Sequence, residues 1–176
     1  MKLEYGKIKG LDGYVFVLSD GKKIKAVYPF LCKKISLEFA VKYLREKGIT
    51  LKPKKADLNW ILELMQGLKK TDISCFDLSD ATTFQKNVYK KLCSTAPGTV
   101  LSYGELSSDR ARAVGTAMKK NPLPLLIPCH RVTSKNGAEH YTISCYNKRP
   151  AACRTKDPDS CSKAIKKNLR KKEADE

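Results

Sequence analysis

Cysteine and histidine are adjacent in the stretch NPLPLLIPCHRV, as Cys129 and His130, and Arg131 follows them. A thiol becomes a strong nucleophile when it ionises, and a neighbouring histidine or cationic side chain favours the thiolate. In an extended loop the two side chains would point in opposite directions, so His130 would need a water molecule or a local bend to act on the sulfur. The pattern predicts nucleophilic chemistry at Cys129, although a Cys-His pair by itself is more often a buried thiol beside a hydrogen-bonded histidine.

The remaining cysteines bear on the compartment and on metal binding. The chain has seven cysteines, an odd number, with irregular spacing and no CxxC pair. The first segment, MKLEYGKIKG, contains no apolar run and is not expected to be a secretory signal. These features indicate free thiols in a reducing compartment. Cys145, Cys153 and Cys161 lie near His140 with even spacing, so zinc binding there is an alternative, but ordinary free thiols are favoured and no metal is expected.

The charge balance points to a polyanionic partner. The formal net charge is +17 and the pI is about 9.6, while hydrophobic residues make up 41% of the chain, which is enough to bury a core. Each phosphate that a basic surface neutralises releases counterions, so nucleic acid is the favoured partner. A solvated basic surface and binding to anionic lipid are the alternatives. No run of about 18 apolar residues occurs, so no membrane span is expected.

The elements that must position these residues begin with a predicted hairpin near the N-terminus. Residues 14–18 and 24–28 are rich in β-forming apolar residues, and Asp20 and Gly21 between them are typical of a tight turn. The pattern predicts two antiparallel strands.

Two helices are predicted to accompany this hairpin. Ser36 and Asp57 can each cap a helix whose apolar residues follow helical spacing, and residues 51–58 (LKPKKADL) look like a loop. Residues 1–79 are therefore expected to form a small α+β unit that serves as a scaffold.

The second half of the chain has a helical pattern. Thr82 or Thr83 can cap a first helix, and a Pro-Gly turn then precedes a short helix that starts at SYGEL. The stretch DRARAVGTAMKK predicts another helix, and two helices in tandem across a tight turn suggest a helix-turn-helix. The apolar residues 125–127 are expected to form a buried, rigid strand behind the cysteine.

The C-terminal segment differs from the rest. Residues 150–176 are polar, contain two prolines and have few large apolar residues, so we expect a weakly ordered basic tail. Its KKNLRKK stretch is compatible with a helical basic patch, a nuclear localisation signal or a solvated tail.

Several of these segments occur in a recognisable order. TFQKNVYKKLCSTAPGTVLSYGEL, RAVGTAMKK and NPLPLLIPCHRV together closely resemble the O6-alkylguanine-DNA alkyltransferase family. The resemblance covers Thr82 to Tyr141, has no motif in residues 1–79 and fades after Lys148. With the patterns above, it implies an α+β fold: a small N-terminal sheet-plus-helix domain (1–79), a mainly helical, winged helix-turn-helix-like DNA-binding and active-site domain (80–149), and a basic polar tail (150–176).

The resemblance also implies an activity. Family members transfer an alkyl group from O6 of a guanine in double-stranded DNA to the active-site cysteine, here Cys129, after the base has left the stack. The thioether is stable, so each molecule acts once, needs no cofactor and is expected to be a monomer. We expect a nuclear location in a eukaryotic host, a cytoplasmic one otherwise, and no secretion. The alternatives are a non-catalytic, alkyltransferase-like DNA damage-binding protein and a general basic DNA-associated protein.

Roles for individual residues follow from the matched motifs. His130 would deprotonate Cys129 through a water, and Tyr103 would hydrogen-bond N3 of the guanine; an aromatic residue that merely starts a helix is the alternative for Tyr103. Arg112 would fill the space left by the flipped base, with a phosphate contact as its alternative. Small residues on the same helix would let it enter the minor groove or merely pack closely; they are Ala111, Ala113, Gly115 and Ala117.

The remaining matches concern the guanine pocket. Asn121 would stabilise the turns around the cysteine, Pro124 and Tyr141 would form pocket walls, and the backbone carbonyl of Val132 would accept from the guanine amine. Thr142 would donate to O6 in place of a serine.

Three departures from the family pattern carry expectations of their own. The segment GELSSDRA is short, which predicts weakened or reshaped DNA binding. Glu139, His140 and Ile143 stand where small residues are expected and could narrow the pocket. A glutamate that orients the family's histidine is missing near Thr155, so Cys129 is expected to react slowly.

Overall fold

The computed structural model describes the chain in several segments, and some predictions fall outside them. The helix predicted from Ser36, the four residues considered for zinc, Tyr141, Thr142 and the surroundings of Thr155 all lie outside the described residues. Arg45, Lys167 and Arg170 are helical. The described residues are 1–8, 14–30, 45, 48, 50, 52, 54–66, 72–136, 167 and 170.

A four-stranded sheet forms the N-terminal part. Its strands are β1 (Lys2–Gly6), β2 (Tyr14–Ser19), β3 (Ile24–Phe30) and β4 (Lys54–Lys55), in the order β3-β2-β1-β4. β2 pairs antiparallel with both β1 and β3, whereas β4 runs parallel to β1.

The predicted hairpin is confirmed. The Asp20 carboxylate accepts hydrogen bonds from the amides of Lys22 and Lys23 at 2.9 and 2.8 Å, and Gly21 has a φ of +93°. An aspartate that bonds the following amides and a glycine at positive φ are the ordinary chemistry of a tight turn.

Two strands of this sheet were missed from the sequence. β1 lies in the segment without an apolar run, and β4 makes the predicted loop at 51–58 wrong at Lys54–Lys55. The Ala56 amide donates to the Tyr5 carbonyl at 2.9 Å, and a Cβ on Gly6 would collide with the Ala56 carbonyl oxygen. Glycine is required where these two segments meet.

Helix α1 (Asn59–Met65) buries Ile61 and Met65. Its N-cap is Leu58, so the prediction that Asp57 caps it is wrong by one position. The Asp57 carboxylate accepts from the Asn59 amide at 2.9 Å, which ties the entry to the helix without occupying the capping position.

Helices dominate the part of the chain that follows. α2 (Thr83–Cys93) begins with a capping box between Thr82 and Gln85, which confirms Thr82 as the cap. α3 (Tyr103–Leu106) is one turn long and begins with a second capping box, between Ser102 and Glu105. α4 (Ala111–Lys119) comes after residues 107–110 and packs against α3.

A small parallel sheet joins the helical part to the cysteine segment. β5 (Leu101–Ser102) pairs with β6 (Val132–Thr133), and β5 leads directly into α3. α3 and α4 have the order of a helix-turn-helix, while its winged form stays a prediction. Within the described residues, no helix has the length and apolar character needed to cross a membrane.

Backbone and ionic contacts join the two parts along β3. The Val27 amide donates to the Pro122 carbonyl at 2.9 Å, and the Asp77 amide donates to the Ile24 carbonyl at 2.8 Å. Lys25 Nζ lies 2.6 Å from the Asp77 carboxylate. The sheet therefore contacts both the segment that leads into α2 and the loop that precedes the cysteine.

Candidate active site

The cysteine lies in a bent, buried segment. Cys129–Arg131 form a 3₁₀ turn in which the Arg131 amide donates to the Pro128 carbonyl at 3.0 Å and the Val132 amide donates to the Cys129 carbonyl. The side chains of Cys129 and His130 are each 1% exposed. The segment is a helical turn and not the extended loop considered from the sequence, and neighbouring side chains on a helical turn do not face each other. Proton transfer between Cys129 and His130 through a water therefore stays a prediction.

Asn121 holds the two ends of the loop that leads to this turn. Its Nδ2 donates to the Ile127 carbonyl at 3.0 Å, and its Oδ1 accepts from the Leu123 amide at 2.9 Å. The side chain is 2% exposed, so both bonds form away from water. A side-chain amide can donate through its nitrogen and accept through its oxygen at the same time.

The strand predicted at residues 125–127 is wrong, although its burial is confirmed. Leu125 has a φ of +81°, and the Ile127 amide donates back to the Leu123 carbonyl at 2.8 Å, so the chain turns. Leu125, Leu126 and Ile127 are all buried. Pro124 and Pro128 lack amide protons, which removes two donors that a strand would have used.

The Arg131 side chain is buried and bonds backbone carbonyls of two other segments. Its Nη1 donates to the Thr95 carbonyl at 2.8 Å, and its Nη2 donates to the Met65 carbonyl at 3.1 Å. The residue is 3% exposed. Met65 is the last residue of α1 and Thr95 follows α2, so the guanidinium fastens the cysteine turn to both parts of the protein. Sequence reasoning missed this structural role.

Tyr103 reaches the site through the small parallel sheet. Leu101 is the register partner of Val132, and Ser102 that of Thr133, so the start of α3 lies beside the end of the cysteine turn. Tyr103 is buried, and a Cβ on Gly115 would lie 3.9 Å from its Cε1 atom. The tyrosine ring therefore lies against α4 at Gly115.

An open cleft borders Tyr103. It has a volume of about 520 Å³, and its floor is shared by the start of α3, the start of α4 and the segment after β6. The Glu105 carboxylate in its wall has a pKa below the usual range, chiefly because Ser102 donates hydrogen bonds to it. The lining residues are Ser102, Tyr103, Gly104, Glu105, Ser108, Ala111, Ser134 and Lys135.

Helix α4 presents most of the predicted DNA-facing residues. Ala111 and Arg112 are exposed, and Ala113 and Gly115 are half-buried. Ala117 is fully buried, and its carbonyl accepts a hydrogen bond from the Tyr89 hydroxyl at 2.8 Å. The expectation that Ala117 faces DNA is therefore wrong, because its position turns toward α2.

Tyr89 and Cys93 are two further titratable groups close to the cysteine loop. Burial, and then the negative charge that Cys129 can carry, raise the pKa of Tyr89 above its usual range. Burial raises the pKa of the Cys93 thiol to about 12, although the Arg131 charge opposes it. Cys93 therefore stays protonated at neutral pH. Tyr89 was missed because its spacing on α2 is that of an ordinary core residue.

The described residues contain no group of three or more histidine, cysteine, aspartate or glutamate side chains that could hold a metal ion.

Sequence comparison finds relatives over most of the chain. Residues 83–154 match the family model described as the DNA-binding domain of 6-O-methylguanine DNA methyltransferase. The methylated-DNA–protein-cysteine methyltransferase of Thermococcus barophilus is 35% identical over 139 residues, which is 75% of each chain. The inducible protein of that name from Bacillus subtilis is 32% identical over 133 residues, 73% of this chain and 70% of the relative.

Structural comparison supports the same fold. The crystal structure of the O6-methylguanine-DNA methyltransferase of Pyrococcus kodakaraensis KOD1 aligns with a TM-score of 0.65 at 22% identity and covers 97% of this chain and 98% of the other. The R37L variant of the Mycobacterium tuberculosis O6-methylguanine methyltransferase aligns with a TM-score of 0.61 at 20% identity and covers 98% and 92%. The expected α+β fold is confirmed.

Proposed function

Because the chain belongs to the methylated-DNA–protein-cysteine methyltransferase family, we propose that it repairs O6-alkylguanine in double-stranded DNA. The alkyl group would move irreversibly to Cys129, and each molecule would act once without a cofactor. The observation that supports this proposal is the position of the buried turn Cys129–Arg131: it ends at Val132, and the pairing of β6 with β5 brings the start of α3 beside that end.

The transfer needs a soft anionic nucleophile and a neutralised leaving group. His130 takes the thiol proton of Cys129, through a water, and the sulfur attacks the alkyl carbon. The bond between that carbon and O6 breaks, and its electron pair stays with the guanine. Tyr103 donates a hydrogen bond toward N3 of the departing guanine anion. The proton that His130 took from the thiol then returns through water to this anion, so that both products are neutral. The products are a thioether at Cys129 and unmodified guanine.

The DNA would lie along the exposed face of α4. Arg112 is exposed on that face and would fill the gap in the stack, while Ala111, Ala113 and Gly115 leave room for close approach. The net charge of +17 favours the phosphate backbone.

The base pocket would be built around the turn. The bonds of Asn121 keep the loop in shape, and Pro124 and the Val132 carbonyl would contact the guanine. Tyr141 and Thr142 would complete the pocket.

The relatives that match are archaeal and bacterial, which favours the cytoplasmic alternative over a nuclear location. We propose that the protein acts as a monomer, since one chain supplies the cysteine turn, Tyr103 and α4.

The experiment is an intact-mass measurement after mixing the protein with a duplex oligonucleotide that contains O6-methylguanine. We expect the gain of one methyl group, located on Cys129 by peptide mapping and lost in Cys129→Ser. Cys93→Ser is the matched control and should still be methylated, because the Cys93 thiol holds its proton at neutral pH.

Other outcomes separate the alternatives. Tight, lesion-selective binding without a mass gain would support a non-catalytic damage-binding protein. Binding that falls steeply with salt and ignores the lesion would support a general DNA-associated protein.

A further inference from the structure

Helix α2 contacts both helices of the tandem pair through side chains that no role above uses. The first contact is at the end of α3. Lys91 Nζ donates to the carbonyl of Glu105 and lies 3.5 Å from the carbonyl of Leu106, the last two residues of that helix. Carbonyls at a helix end lack partners within the helix and carry partial negative charge, so an ammonium group there stabilises the end.

The second contact is at the start of α4. Arg110 is the N-cap residue of α4 and makes no side-chain capping bond. Its guanidinium carbon lies 5.8 Å from the ring centroid of Phe84, in the first turn of α2, and its Nε lies 3.2 Å from the Asp109 carboxylate. A guanidinium over an aromatic ring is attracted to the face of that ring. The entry to α4 is thereby set against α2.

The third contact is at the other end of α4. The Tyr89 hydroxyl donates to the Ala117 carbonyl at 2.8 Å, in the last turn of the helix, and the tyrosine is 1% exposed. α2 therefore touches α4 near both of its ends and also touches the end of α3.

The helix that precedes α4 packs against it but needs support of its own. α3 spans only Tyr103–Leu106, and a single helical turn gains too few hydrogen bonds to be stable without tertiary contacts. From these contacts we propose that α2, acting through Lys91, Phe84 and Tyr89, is the element that orients α4 on duplex DNA. This inference rests on the proposed function and names three positioning residues, which act through α3 and α4 and do not touch the base.

The inference makes a specific claim about substrates. A free base, such as O6-benzylguanine, needs the cysteine turn and Tyr103 but not a correctly oriented α4. A lesion in a duplex needs both. Loosening α2 from α3 and α4 should therefore lower the ratio of the duplex rate to the free-base rate, whereas general unfolding would lower both rates together.

Lys91→Met is the test variant because it removes the bonds to α3, and Lys90→Met is its matched control. Lys90 is the preceding residue of α2, is exposed and has the same charge. We expect Lys91→Met to lower the rate ratio by about three- to tenfold, the range for one charge-assisted hydrogen bond at a helix end. Lys90→Met should leave the ratio within about twofold of the wild type, and Lys91→Arg should restore most of it.

A second variant tests the contact between α2 and the last turn of α4. Tyr89→Phe keeps the buried ring and removes only the hydroxyl that bonds Ala117. It should lower the same ratio, and circular dichroism should show an unchanged helix content.

Binding of an unmodified duplex, measured by fluorescence anisotropy at fixed salt, tests the proposal without any chemistry. Weaker binding by Lys91→Met than by Lys90→Met supports it. Equal binding and an equal rate ratio in the two variants overturn it, as do equal losses of the duplex and free-base rates. A wild-type protein that binds duplex but accepts an alkyl group from neither substrate would refute the proposed transfer reaction. The anisotropy comparison would still decide whether α2 orients α4 on DNA.

Discussion

The cysteine loop is held from two sides by contacts of different kinds. From the helical side, the side chain of Asn121 bonds both ends of the loop, in addition to the backbone pairing of β5 with β6 beyond the turn. From the sheet side, the contacts use backbone atoms: the Val27 amide meets the Pro122 carbonyl, and the Met65 carbonyl receives the Arg131 guanidinium.

This difference explains why one half of the molecule carries visible motifs and the other does not. A side chain that hydrogen-bonds two backbone groups, as Asn121 does, requires a particular residue type at its position. A backbone amide or carbonyl is supplied by almost any residue, so Val27 and Met65 support the loop without a sequence signature. The sheet-and-helix part is thus as much a part of the site's support as the part that contains the cysteine.

Replacing Arg131 by methionine should have the largest effect, because it breaks the contact between the two sides. The carbonyls of Met65 and Thr95 would lose a buried donor, which costs about 2–5 kcal/mol in the free energy of unfolding. Urea denaturation measures the loss. Arg112→Met is the control, since Arg112 is exposed and its replacement should change stability by less than about 0.5 kcal/mol. Equal stability of the two variants would mean that the guanidinium does not join the two sides.

Elements that neighbouring residues determine were predictable in both parts of the chain. Thr82 with Gln85 forms the predicted cap, and the turn at Asp20 and Gly21 forms the predicted hairpin. The resemblance assigned roles to Cys129, Tyr103 and Arg112. In the structure Cys129 and Tyr103 are buried on segments that the β5–β6 pair joins, and Arg112 lies exposed on α4. Their chemical roles stay predictions.

The failures share a physical cause, which is that tertiary contacts decided the local structure. β4 exists because Lys54–Lys55 pair with β1, a partner far away in the sequence. The strand expected at 125–127 is a turn because Asn121 closes the loop. The structural role of Arg131 was missed because the two carbonyls that it bonds belong to segments far away in the sequence.

A pH series should test the ion pair between Lys25 and Asp77, which belongs to the junction between the sheet and the segment that leads into α2. Lys25 and Ser79 donate hydrogen bonds to the Asp77 carboxylate, which hold the pKa of Asp77 well below its ordinary value of 3.8. A lowered pKa in the folded protein means that the charged form stabilises the fold at pH values above 3.8, and that this stability is lost as the pH falls below that value. Asp77→Asn should therefore be less stable than the wild type at neutral pH.

The quantity to measure is the difference in thermal unfolding midpoint between the wild type and Asp77→Asn. Thermal unfolding midpoints of wild type and Asp77→Asn should differ by a constant amount above about pH 5, and the difference should narrow as the pH falls further. A constant gap down to acid pH would mean that the ion pair with Lys25 does not stabilise the junction. Asp57→Asn provides a comparison, because Asp57 bonds a neighbouring amide and has no ionic partner across the junction among the described residues.

The smallest effect is expected at Gly115. A variant there can separate the two roles of a small residue on α4, which are close approach to DNA and close packing within the protein. A Cβ there would meet only the Tyr103 ring, at 3.9 Å, an ordinary contact distance, and Gly115 has no positive φ. Gly115→Ala should therefore stabilise the protein by about 0.5–1 kcal/mol through helix propensity. If the glycine serves close approach to DNA, the same variant should react more slowly with a duplex lesion while its rate with O6-benzylguanine is kept. A more stable protein with an undiminished duplex rate would instead assign the small residue to contacts within the protein, and α4 would then meet DNA chiefly through its exposed face at Ala111 and Arg112.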